Sequence, residues 1–173
     1  MIPRTETIVA ELGRQPATLF ALLDAAREPT VRNRAHGSGQ RYQSLYQGDP
    51  DLEDYGPFLV ELGRNAPLLG KLVQDGWGKS WGVYLSTDLS FEQLRRHLRR
   101  FLMVKLHDGR DAYFRFYDPR VLRVFLGQST FAEARVFLGP VQAYWVESED
   151  ACSLLRFKAG PSSVAIEACS TDE

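Results

Sequence analysis

The chain has 173 residues, 44% of them apolar and 25% charged, with a formal net charge of −1. That length suits one domain with a real core, and no apolar run is long enough to cross a bilayer. Charges in the opening MIPRTETIVAELGRQ stand where a signal peptide needs its apolar centre, so export by that route is not expected.

In chain order, residues 5–14 read as a short helix with Ile8, Val9 and Leu12 on one side. Residues 17–23 are apolar and predict a first strand ending at Asp24. A helical turn after Glu28 loosens at Gly37-Ser38-Gly39, and residues 42–46 predict a short strand. QGDPDLEDYGP reads as turn chemistry with acidic side chains. A strand over 58–62 and a helix over 68–75 closed by Gly76 follow. Residues 81–85 predict another strand, and Ser90 with Gln93 gives capping-box spacing for a helix running to about Leu102. Runs at 103–107 and 112–116 flank Asp108-Gly109, the strongest hairpin signal in the chain. Asp118 caps a helix whose first turn holds Pro119, and residues 130–138 form a further helix stopped by Gly139-Pro140. Strands are expected at 143–147, 154–159 and 164–168, with the last fifteen or so residues loosely held. The reading is mixed α/β: one compact domain, a central mixed sheet flanked by helices, and a short strand-rich C-terminal extension.

Charge is uneven along this order. Residues 95–123 carry a net +6, so the remainder carries −7, with Asp49, Asp51, Glu53, Asp54 and Glu61 forming one acidic stretch. On a helical wheel Phe91, Leu94, Leu98, Phe101 and Leu102 share one side, and Arg95, Arg96, Arg99 and Arg100 are expected opposite them, with His97 at the margin. Two readings stay open for this face: a solvated surface paired with the acids at 49–61, or a docking face for an acidic protein. Nucleic acid is disfavoured by the acidic remainder and by the lack of any recognition motif. Arg115, Asp118 and Arg120 read as a structural knot in which the carboxylate caps a helix and accepts from arginine.

Catalytic chemistry does not assemble. His36, His97 and His107 show no metal-ligand spacing, so no metal is expected. GRNAPLLGKL over 63–72 resembles a phosphate loop but has its leading glycine seven residues before Gly70, and Leu72 replaces Ser or Thr. Neither a nucleophile elbow nor a dinucleotide fingerprint is present, and no cofactor is expected. Cys152 and Cys169 read as reduced thiols, with a disulfide between them as the alternative. Trp77 and Trp81 sit among glycines and read either as closing the edge of a core or as a partner platform. Trp145 in QAYWVE is a second candidate for a partner groove.

FALLDAAR, YQSLYQG, YGPFLVEL, WGKSWGVYLST, RRHLRRFLMVKLHDGRDAYFRFYDPRVLRVFL and FLGPV together resemble domain-of-unknown-function family 4123, over residues 19–141. The matching motif residues are His97, Leu98, Arg99, Arg100, Asp108, Gly109, Arg115, Phe116, Asp118, Pro119, Arg120 and Val121. The resemblance implies a cytoplasmic, non-enzymatic bacterial adaptor chaperone of the type VI secretion system. Such a protein binds a secreted effector and helps load it onto the VgrG spike, with no membrane insertion. It divides the chain into an N-terminal helix (1–18), the adaptor domain (19–141) and the C-terminal extension (142–173). A non-secretory binding scaffold and an enzyme of unrecognised class are the alternatives. The protein-binding candidates are Arg95, Arg96, Arg99, Arg100, Trp77 and Trp145, with His97, Arg115, Asp118, Pro119 and Arg120 as structural motif residues. The strands around Trp145, Leu154 and Val164 either complete the common sheet or offer an edge for strand addition.

Overall fold

A computed structural model describes residues 4–63 and 67–169; part of the 63–72 stretch therefore lies outside the described residues, as do 1–3 and 170–173. The chain begins α1 (Thr5–Gly13), β1 (Thr18–Asp24), α2 (Thr30–Gly37), β2 (Tyr42–Ser44), α3 (Pro50–Tyr55), β3 (Pro57–Leu62) and α4 (Pro67–Gly76). It continues with β4 (Gly82–Thr87), α5 (Phe91–Arg99), β5 (Met103–Lys105), β6 (Asp111–Tyr113), α6 (Pro119–Gln128) and α7 (Phe131–Leu138). Three strands end it: β7 (Ala143–Glu147), β8 (Leu154–Ala159) and β9 (Val164–Cys169).

Seven strands form one sheet in the order β2-β3-β1-β4-β7-β8-β9. Every neighbouring pair in it is antiparallel. The central strand β1 shows why helices cover both faces. Its side chains alternate, so Phe20 and Leu22 enter one apolar core while Leu19, Ala21 and Leu23 enter the other. A strand buried on both faces reads as a continuous apolar run, which TLFALLD is. Helices α1, α2 and α4 close the second core, and α5, α6 and α7 close the first. The expected α/β class holds, with helices on both sides of a central sheet.

Three local expectations are corrected. The acidic 49–55 stretch is not a turn: the Asp49 carboxylate accepts from the Asp51 and Leu52 N–H groups, and Pro50 fits the first turn of α3. Residues 164–169 are not loose, because β9 pairs with β8 along its whole length. The hairpin is shorter than expected and stands as a separate two-stranded sheet. Its Gly109 adopts φ 84° and donates to the Leu106 carbonyl, closing a tight three-residue loop. The C-terminal strands continue the sheet through β4–β7 pairing and form no separate lobe.

Candidate docking surface around helix α5

Helix α5 begins with the capping box that its sequence predicts: Ser90 Oγ accepts from the Gln93 N–H at 3.3 Å, and the Gln93 side chain accepts from the Ser90 N–H at 3.0 Å. Phe91, Leu94 and Leu98 then bury their side chains in the first core. The outward placement expected for all four arginines is corrected at Arg95, which is only 7% exposed. At about 100° per residue, position 95 falls about 20° from Leu102, at the border of the apolar stripe. Its aliphatic stem is covered, and Nε–H donates to the Ser44 carbonyl at 2.9 Å. Burial, then the neighbouring Arg99 charge, pull its pKa down, while Glu92 and Glu53 oppose them.

His97 is buried too, not marginal. Its Nε2 lies 2.8 Å from the Phe137 carbonyl and its Nδ1 lies 3.0 Å from an Arg100 nitrogen. A carbonyl needs a donor and a guanidinium is one, so the ring is the neutral Nε2–H tautomer. Burial lowers its pKa, the Phe137 bond opposes this, and Arg100 adds to the lowering. The ring packs so closely on Gly139 that a Cβ there would lie 2.6 Å from Cε1. His97 thus fastens α5 to the end of α7.

The remaining three arginines are exposed. Arg99 donates to the Gln47 side chain at 2.8 Å, and among the described residues Arg100 reaches His97 and the face of Phe101. Arg96 makes no side-chain hydrogen bond or ion pair among the described residues. Arg96 and Arg100 rim a groove of about 350 Å³ with Leu89, Gln93, His97 and Pro140. Among the described residues no carboxylate of the acidic stretch forms an ion pair with this helix. Asp54 pairs with Arg32 at 3.0 Å, Glu53 accepts from the Gly48 N–H at 2.6 Å, and Asp49 caps α3.

Beside the helix stands the hairpin, carrying apolar side chains that sequence reasoning passed over. Met103, Val104, Leu106 and Tyr113 are all exposed. The signal was present in MVKL, where apolar residues interrupt the alternation of a half-buried strand. Tyr113 meets Tyr46 edge to face at 5.9 Å, and Tyr46 lies where a Cβ on Gly56 would overlap its ring. The base of the hairpin is fixed by buried polar groups. Asp118 caps α6 and takes Arg120 at 2.6 Å, as expected. Burial pushes its carboxyl up, but the Arg120 bonds outweigh this and hold it below the ordinary carboxylate range. Arg115 binds chiefly Asp24, at 2.7 Å, and Asp118 only at 3.8 Å. Asp24 is a second buried carboxylate that ties the end of β1 to the segment after β6, a pairing 91 residues apart that no local pattern announces. Pro119 is buried in the first turn of α6.

The tryptophans pack against the second core. Trp145 is fully buried in the second core, which corrects its expected place at a partner groove; truncation there would cost about 3–5 kcal/mol. Trp77 packs on the same core and donates to the Ala151 carbonyl at 2.8 Å. Glu147 holds the intervening loop, accepting from the Gly78 and Ser80 N–H groups.

No curated protein and no solved structure matches the chain. The sequence profile described as "Domain of unknown function (DUF4123)" matches residues 19–135, more than half of the chain. The chain belongs to the DUF4123 family. The DUF4123 match takes in β1–β4, α5, the hairpin, α6 and part of α7, so the whole α5–hairpin surface lies inside it. Strands β7–β9 lie beyond the match yet complete the same sheet. Among the described residues no cluster of three His, Cys, Asp or Glu side chains could hold a metal, Cys169 is a free thiol, and no helix is long and apolar enough to cross a membrane.

Proposed function

We propose that this DUF4123 chain is a cytoplasmic, non-catalytic adaptor chaperone that binds a type VI secretion effector and helps load it onto the VgrG spike. The observation that carries the reading is the α5–hairpin surface inside the matched segment. There, Met103, Val104, Leu106 and Tyr113 are exposed on the hairpin that follows α5, and Arg96, Arg99 and Arg100 are exposed on or at the end of α5, none of them ion-paired to a carboxylate among the described residues. Apolar side chains held in water on one element and guanidiniums without a carboxylate partner on the preceding helix suit a protein partner that has both an apolar patch and acidic groups. Arg95 and Trp145 are dropped from the contact set because their side chains are buried. Trp77 stays outside it because its indole N–H is bonded within the fold.

The test is affinity capture of the tagged chain from its native bacterium, with partners identified by mass spectrometry. Recovery of a toxic effector with the spike protein is expected, and replacing Met103 and Tyr113 by serine should deplete both. Recovery of partners unrelated to secretion would favour the scaffold reading instead.

A further inference from the structure

The two edges of the sheet differ in how they end. At β2 the bonds Leu45 N–H to Pro57 O and Glu61 N–H to Arg41 O turn the odd-numbered residues toward β3. Ser44 therefore faces outward, and its carbonyl is already taken by Arg95 at 2.9 Å. That edge is three residues long and occupied by the protein's own side chain. Strand β9 is six residues long and, among the described residues, pairs with β8 alone. Gly160 N–H bonds to Ser163 O at the turn, so the alternation directs Ala165, Glu167 and Cys169 at β8. Val164, Ile166 and Ala168 direct their N–H and C=O groups outward.

Folded proteins blunt such edges with lysine, proline, bulges or covering loops. VAIEAC contains neither lysine nor proline, and its register with β8 runs without a bulge. Its one charge, Glu167, is held within the sheet by Lys158 at 2.6 Å and Arg156 at 3.6 Å. Ile166, at the middle of the free edge, is 51% exposed.

We infer that β9 pairs antiparallel with β9 of a second copy of this chain, about a two-fold axis at Ile166, joining two sheets into one. The edge is self-complementary in that register. Ile166 meets Ile166 of the second copy, Val164 meets Ala168, and Ala165 meets Glu167, so no like charges are opposed and about six backbone hydrogen bonds form. Moving the axis to Glu167 would oppose two carboxylates and shorten the overlap. The contact is isologous, so it closes as a dimer and does not propagate.

Sedimentation velocity of the full chain over a range of concentrations tests this. A reversible dimer is expected. Ile166→Pro removes only an outward N–H, and Ile166→Lys places a charge on the edge; each should weaken the dimer about tenfold or more. Circular dichroism should match that of the wild type, and if the proline variant fails to fold, the lysine variant decides. Tyr113→Ser, on the distant hairpin, should dimerise as the wild type does. A wild type that stays monomeric throughout would overturn the inference. So would an Ile166→Lys protein that dimerises with unchanged affinity.

Discussion

Arg95 and Arg96 are neighbours on one helix and have opposite fates. Arg95 is folded against the sheet edge with its guanidinium bonded to a backbone carbonyl, while Arg96 stands in water without a side-chain partner among the described residues. The 100° between them is the cause: one sits at the border of the apolar stripe, the other nearly opposite its centre. His97 and Arg100 repeat the contrast, since the imidazole is buried between α5 and α7 and the guanidinium lies over an exposed groove. A run of basic residues is thus two sets. One is part of the fold, and the other is exposed.

The largest effect should come from breaking the buried set. Arg95→Ala strands the Ser44 carbonyl and removes the covered stem, so urea unfolding should show a loss of about 2–3 kcal/mol. Gly139→Ala follows at about 1–3 kcal/mol, because φ is 49° there and the new methyl would press on the His97 ring. The double variant with His97→Ala should lose less than the sum of the two single changes, since the clash is then gone.

The Ser90–Gln93 capping box, the Asp118–Pro119 helix start, the Asp108–Gly109 hairpin and the strand positions were legible because local chemistry dictates them. Three things were not. The Asp49 cap that turns an acidic loop into α3 was hidden by glycine and proline around it. The Asp24–Arg115 pair depends on β1 meeting the post-hairpin segment, which only the fold specifies. Arg95 was misplaced because residue type, not angle from the stripe's centre, set its expected side. The apolar hairpin residues stand plainly in MVKL, but their exposure follows from the hairpin forming a sheet of its own.

A smaller effect sharpens the contrast through pH. Burial holds the His97 pKa below its ordinary value, so the folded state resists protonation there more than the unfolded chain does. Its contribution is complete above pH of about 6.5 and is lost as pH falls from there toward the folded pKa. Melting temperature should therefore decline with acidification in the wild type, and decline less in His97→Gln, as thermal scans in matched buffers would record. The smallest effect belongs to the outer set. Arg96→Glu should change unfolding free energy by no more than about 0.5 kcal/mol.

The most direct test measures melting temperature and partner retention together on two matched proteins, Arg95→Gln and Arg96→Glu. The first should melt at a lower temperature and still retain its captured partner below that melt. The second should melt as the wild type does and lose the partner. Retention by the Arg96→Glu protein, or a melting loss as large as that of Arg95→Gln, would contradict the division of α5 into a structural and a docking set.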